Sequence, residues 1–197
     1  MAQVILVTGA SGLLGRAICR RFESDPHFRV VGTGFSRSGD GRLVHIDLRD
    51  AGAIDTLIND LKPSFVIHAA AERRPDVVEK DIAGSERINV ESVWALGRAA
   101  SRVGAGFLQI STDYLWDGTA APYKEDAKPC PLNAYGLTKL RGEYAALAAH
   151  AEAIVLRIPV LYGPTCDLKE SAVTMFGQMV LDTSKTHVSE VPVPREA

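Results

Sequence analysis

The chain has 197 residues, 46% hydrophobic, 23% charged and 7% aromatic, which is ample apolar surface for a core and excludes a disordered chain. Its 22 Lys and Arg oppose 24 Asp and Glu, a net −2 with neutral histidines, so no broad surface for nucleic acid or anionic membrane is expected. The strongest apolar runs, such as residues 65–71, fall far short of the roughly 18 residues of a spanning helix, and residues 1–7 lack the basic start of a signal peptide. Cys19, Cys130 and Cys166 are widely spaced and form no CxxC pair. They read as scattered, mostly buried thiols in a reducing cytoplasm rather than as a disulfide framework. The histidines at 27, 45, 68, 150 and 187 show no ligand spacing, and no metal site is expected.

Short β-rich runs alternate with helical stretches from the start. Residues 3–7 read as a buried strand and 12–23 as a helix, with Leu13, Leu14, Ala17, Ile18 and Phe22 on one side. Strands follow at 28–33 and 43–46, then a helix at 51–61 and a strand at 65–70. A long helix is expected over 84–103, a strand over 106–112 that ends in hydroxyl residues, an alanine-rich helix over 132–150 and a strand over 153–158. This alternation predicts an α/β fold: a Rossmann-like, doubly wound parallel sheet with helices on both faces. Sites in such a sheet lie beyond the carboxyl ends of the strands.

Thr8-Gly9-Ala10-Ser11-Gly12-Leu13-Leu14-Gly15 joins the first strand to the first helix. Gly9 permits a tight turn, Gly12 lets the backbone approach a diphosphate, and Gly15 allows close packing of helix on strand. The helix start presents free N–H groups to the anion. The position between strand and helix makes this a dinucleotide loop rather than a chance trio of glycines. At the end of the second strand, Gly32-Thr33-Gly34-Phe35-Ser36-Arg37 has no acid until Asp40. An acid there would hold the 2′-hydroxyl of NAD, whereas Arg37 can pair with a 2′-phosphate, so the expected cofactor is NADP(H). Asp47-Leu48 closes the third strand, where the pair can either flank an adenine or cap the surface.

Tyr135-Gly136-Leu137-Thr138-Lys139 sets Tyr135 and Lys139 one helical turn apart on one face. A nearby ammonium and a cationic nicotinamide would lower the phenol's pKa and fit it for proton transfer to or from a carbonyl oxygen. Ser111-Thr112 ends the fifth strand, and Thr112 is the preferred hydroxyl partner, with Ser111 free to bond backbone.

Loop, hydroxyl and YxxxK together resemble an extended short-chain dehydrogenase/reductase. Residues 111–118, STDYLWDG, and 131–136, PLNAYG, resemble the dTDP-4-dehydrorhamnose reductase group. That likeness implies NADPH-dependent reduction of a 4-keto sugar nucleotide by Thr112, Tyr135 and Lys139. Residues 70–79, AAERRPDVVE, with RIPVLYG at 157–163 and LKESAVT at 168–174, resemble a branch of the same family, the regulatory beta subunits of methionine adenosyltransferase. This second likeness is more specific and implies a non-catalytic, NADP(H)-binding subunit that joins the catalytic subunit in a hetero-oligomer and modulates S-adenosylmethionine synthesis. The triad does not discriminate between the two, because the regulatory branch retains YxxxK.

The resemblance also implies site roles. Ser11, Gly12, Leu13 and Leu14 would line the diphosphate, and Phe35 and Arg37 the adenosine phosphate end. Asp47 and Leu48 would meet the adenine, Ala69 and Arg73 would approach from the fourth strand, and Tyr135, Lys139 and Leu161 would surround the nicotinamide half. Taken alone, Glu72-Arg73-Arg74 reads as a solvated helix start. Family members continue into a smaller C-terminal substrate domain, which is expected to be missing here. Residues 1–180 are read as the dinucleotide-binding domain, and 181–197, polar and with two prolines, as a disordered tail.

Overall fold

A computed structural model of the chain describes residues 2–36 and 41–181. The apolar runs become β1 (Gln3–Thr8), β2 (Phe28–Gly34), β3 (Val44–His45), β4 (Phe65–His68), β5 (Gly106–Thr112) and β6 (Ile154–Ile158). All pair in parallel, in the order β3-β2-β1-β4-β5-β6, which is the doubly wound order. The chain direction across the sheet reverses between β1 and β4, so a crevice opens beyond Thr8 and His68, which are paired in register.

The helices are α1 (Leu13–Glu23), α2 (Ala51–Leu61), α3 (Pro75–Lys80), α4 (Ile82–Glu86), α5 (Ser92–Val103), α6 (Ala134–Ala149) and α7 (Ala172–Leu181). Alternate residues of the central strands serve opposite layers. Leu6, Val66 and Phe107 join Ile54 and Ile58 of α2, Val93 and Leu96 of α5 and Ala146 of α6 in one core. Ile5, Val7 and Ile67 point the other way and pack with Cys19 of α1. Burying each large side chain contributes about 1.5–3 kcal/mol, and near-continuous apolar strands are what a sheet covered on both faces requires. Helix starts are fixed locally: the Asp50 carboxylate accepts from the N–H groups of Gly52 and Ala53, and the Asn133 side chain from that of Gly136.

Two expectations are corrected. The helix expected over 84–103 is interrupted by a π-helical turn, Arg87–Glu91, between α4 and α5. Asn89 lies in that turn, and its buried amide bonds groups outside the helix, a geometry that widens a helix locally. The helix start expected at Glu72-Arg73-Arg74 is met by the short α3, whose N-cap is Arg74 and whose first turn holds Pro75, a residue suited to that position. Finally, the cysteines are not mostly buried: only Cys19 is, with its thiol pushed up to about 11 by burial. Cys130 and Cys166 are exposed in proline-containing loops.

The backbone forms two compact units, Met1–Pro159 and Val160–Ala197. The described part of the second holds a 3-10 turn, Leu168–Glu170, followed by α7. Within it, the Ser171 hydroxyl donates to the Leu161 carbonyl at 2.7 Å, and Cys166 N–H donates to the Glu170 carboxylate at 3.1 Å. Among the described residues, no helix is long and apolar enough to cross a membrane. Residues 182–197 of the expected tail lie outside the described residues.

Candidate functional site

The glycine loop is built almost wholly from backbone. Gly9 has φ of +69°, and a Cβ there would sit 2.7 Å from the Ala70 nitrogen, so loop and β4 end can meet only through glycine. Gly9 carbonyl accepts from Gly12 N–H at 2.9 Å, and Ala10 N–H donates to the Thr33 carbonyl at 2.9 Å. At Gly15 a Cβ would run into the Gly9 carbonyl and stand 2.7 Å from Ala10 Cα, which makes this the tightest packing point of α1 on the loop. Gly12 differs. It occupies the N-cap of α1, and a Cβ there would meet only the Gly9 carbonyl, at 3.3 Å, with open space beyond. No side chain caps that helix start, so its N–H groups, at Leu13 and Leu14, are left to an anion. Arg16 donates to the Ser11 carbonyl at 2.7 Å and pins the loop from inside. These donors, and the bare approach at Gly12, fit a diphosphate.

Beyond β2, half-exposed Phe35 lies against His45, ring centroids 5.4 Å apart, with the Arg49 guanidinium 5.4 Å above its ring. Arg49 grips Asp47 in a fork, Nε to Oδ1 at 2.9 Å and Nη2 to Oδ2 at 2.7 Å, and the Arg49 hydrogen bonds hold the Asp47 carboxyl below its usual range. His45 and Arg49 were missed by the sequence reading, since neither belongs to a motif. Leu48 is buried in the core on the α2 side of the sheet. Arg37 lies outside the described residues.

At the carboxyl ends of β4 and β5 the structure brings Thr112, Tyr135 and Lys139 together. Lys139 is fully enclosed and donates from Nζ to the Ile110 carbonyl at 2.7 Å. Burial lowers its pKa to about 8, against the charge of Glu143, which raises it. The Tyr135 phenol is shifted up, first by burial, with the hydrogen bond from Thr112 and the charge of Arg73 pulling the other way. The one-turn spacing of Tyr135 and Lys139 predicts a phenol lowered by the lysine. Here Lys139 points to the β5 backbone instead, and desolvation dominates. Tyr114 packs edge-on against Tyr135, 5.5 Å between centroids. Ala69 N–H donates to the Thr8 carbonyl at 3.2 Å, which sets the β4 end beside the glycine loop. Leu161 belongs to the second unit and is described there.

Several buried polar residues in this region had no signal in a motif. Asn89 accepts from Glu72 N–H and donates to the Glu72 carbonyl, both at 3.0 Å, and to the Thr138 hydroxyl at 3.1 Å. It thereby ties the 72–74 stretch to α6. Glu72 and Arg74 of that stretch pair with each other; exposed Arg74 is the N-cap of α3, whereas Glu72 lies before the helix and is partly covered. His68 bonds the Thr8 hydroxyl at 2.6 Å and is driven by burial to a pKa of about 3, so it is neutral. Glu143 accepts from the Ser111 hydroxyl at 2.5 Å and is clasped by Arg157 through Nε at 2.9 Å and Nη2 at 2.8 Å. Ser111 therefore bonds a carboxylate, where a backbone partner had been the alternative. One clue was present: residues 135, 139 and 143 keep a four-residue spacing on α6. Beyond β5 and β6 a cavity of about 480 Å³ is lined by Asp113, Trp116, Tyr123, Lys124, Arg157 and Ile158, among others.

Comparison with known proteins places these features in a family. A family model described as RmlD substrate binding domain matches residues 3–190. The chain is 46% identical over 181 residues to methionine adenosyltransferase 2 subunit beta of Xenopus tropicalis, covering 92% of this chain and 54% of that protein. It therefore spans about half the length of the curated relatives it matches. A solved dTDP-4-dehydrorhamnose reductase from Clostridium acetobutylicum superposes with a TM-score of 0.77 at 33% identity, over 90% of this chain and 60% of that one. The Bordetella bronchiseptica enzyme WbmG, solved in complex with NAD and UDP, superposes at 0.72 with 25% identity, over 84% of this chain and 56% of that one.

Proposed function

The chain belongs to the RmlD substrate binding domain family, and from that premise we propose that it binds NADP(H) and acts as a regulatory subunit of methionine adenosyltransferase. The observation that carries this reading is the 46% identity to a beta subunit over 92% of the chain. The cofactor half is supported by the uncapped start of α1 and the bare approach at Gly12. The Bordetella enzyme, solved with NAD, supports a nicotinamide dinucleotide in this fold.

The backbone from Ser11 to Leu14, with Gly9 and Gly15 shaping it, would hold the diphosphate. Phe35, Arg37, Asp47 and Leu48 would take the adenosine end, where Arg37 without a nearby acid favours a 2′-phosphate. Ala69 and Arg73 would approach from the end of β4, and Tyr135 and Lys139 would lie at the nicotinamide half. When bound, NADPH would supply the hydride. The chain's own groups then offer a buried phenol that keeps its proton at neutral pH and, one helical turn on, an enclosed lysine held on the Ile110 carbonyl. The partner is the catalytic subunit of methionine adenosyltransferase, in a hetero-oligomer that modulates S-adenosylmethionine synthesis. A cytoplasmic location accompanies this reading.

Purified chain should co-elute with the catalytic subunit and change its kinetics; separate elution with unchanged kinetics would refute the regulatory role. NADPH at a hundredfold excess over Kd should stabilise the chain by about 2.7 kcal/mol in a thermal shift assay. Arg37→Asp should weaken NADP binding and favour NAD, and equal affinities before and after would remove Arg37 from the site. The second reading, an NADPH-dependent 4-keto sugar-nucleotide reductase, is favoured by the meeting of Thr112, Tyr135 and Lys139. It predicts NADPH oxidation with such a substrate and loss of that activity in Tyr135→Phe; no oxidation across a panel of 4-keto sugar nucleotides would dismiss it.

A further inference from the structure

The Glu143 carboxylate takes no part in the dinucleotide reading, yet it stands where three elements meet. It is 3% exposed and follows Lys139 by one turn of α6. From β5 the Ser111 hydroxyl donates to it at 2.5 Å, and from β6 Arg157 donates through Nε and Nη2 at 2.9 and 2.8 Å. Arg157 also lies 5.0 Å from the centroid of the Trp116 ring and donates through Nη1 to the Glu125 carbonyl at 2.8 Å. A carboxylate this enclosed survives only with cations and donors around it. Arg157 is the cation it touches. Lys139, bonded to a backbone carbonyl, is the second, and feels Glu143 through the buried space between them.

We infer that Glu143 is a positioning residue of the Tyr135–Lys139 site, set between two cations so that it keeps Lys139 an ammonium and, through Arg157, fixes the chain at Trp116 and Glu125. Its consequence for binding rests on the dinucleotide reading; its electrostatic core does not. The groups that meet Lys139 are neutral His68 from β4, Glu143 one turn on along α6 and the Ile110 carbonyl from β5, while the Ser111 hydroxyl reaches it only through Glu143. Arg157 of β6 acts through Glu143, and Arg73 and Asp113 act on Tyr135.

The test follows the Lys139 Cε resonance by NMR in the full chain labelled with 13C-lysine, assigned with Lys139→Arg and titrated without cofactor. Wild type should titrate near pH 8. Glu143→Gln keeps the shape and removes the charge, so the midpoint should fall by about one pH unit or more. Arg157→Gln leaves Glu143 facing Lys139 alone, so the midpoint should rise. Opposite shifts are a signature that loss of packing cannot produce. An unchanged midpoint, or shifts of the same sign, would overturn the inference. Should Glu143→Gln fail to fold, the rise in Arg157→Gln decides alone. NADPH affinity is then followed against pH, and its alkaline loss should begin at lower pH in Glu143→Gln. If wild type binds no NADPH, the dinucleotide reading fails while the titrations still decide the role of Glu143.

Discussion

The two halves of the site are built by opposite means. Between β1 and α1 the geometry comes from the absence of side chains: Gly9, Gly12 and Gly15 let backbone meet backbone, and one helix start keeps its N–H groups uncovered. Around β5, β6 and α6 the geometry comes from buried polar side chains that satisfy one another or a backbone group, Lys139 on the Ile110 carbonyl, Glu143 on Ser111 and Arg157, Asn89 on the Glu72 backbone and Thr138. A backbone cradle tolerates no added atom where it is tight. A side-chain network tolerates no deletion, because each lost partner leaves another group buried and unsatisfied.

Substitutions can break that contrast, and the largest effect should come from the loop. Gly15→Ala presses a Cβ into Gly9 and Ala10 backbone, which cannot yield, and should cost about 3 kcal/mol in urea denaturation and remove dinucleotide binding with it. In the network, Asn89→Ala leaves both backbone groups of Glu72 unpaired and should cost about 2–3 kcal/mol by the same measurement. A third effect is pH-dependent. His68 has a folded pKa near 3 against 6.5 when free, so the unfolded chain binds the extra proton between those values. Stability contributed by the neutral ring is complete above pH 6.5 and declines as pH falls toward 3. Denaturation midpoints for His68→Asn should therefore show a shallower decline over that window, and parallel curves would contradict the assignment.

Gly12→Ala sharpens the contrast within the loop itself. Its Cβ meets one carbonyl at 3.3 Å and otherwise points to open space, so stability should change by less than about 1 kcal/mol. NADPH affinity, measured calorimetrically, should still drop about tenfold or more, equivalent to about 1.4 kcal/mol. Smallest of all is Arg102→Ala, which removes a salt bridge to Asp55 whose two side chains are 43% and 46% exposed. Solvent screening should hold its effect to about 0.5 kcal/mol, and a larger loss would mean that the pair carries more than a surface contact.

The apolar runs, their spacing and the three glycines determined the doubly wound sheet and the place of the loop from sequence alone. Their information is local: a strand's burial shows in five neighbours, and a tight turn shows in the residue that must adopt it. Tyr135 and Lys139 were legible for the same reason, being one turn apart on a single helix. What tertiary structure alone decided is which buried polar groups face one another. Asn89 reaches 17 residues back to Glu72 and 49 forward to Thr138, and Ser111 meets Glu143 across 32. Hydrogen bonds at that separation leave no periodic trace, because the parallel sheet, not the intervening chain, brings their partners together. The same cause turned the Lys139 ammonium toward β5 backbone and left burial to govern the phenol of Tyr135.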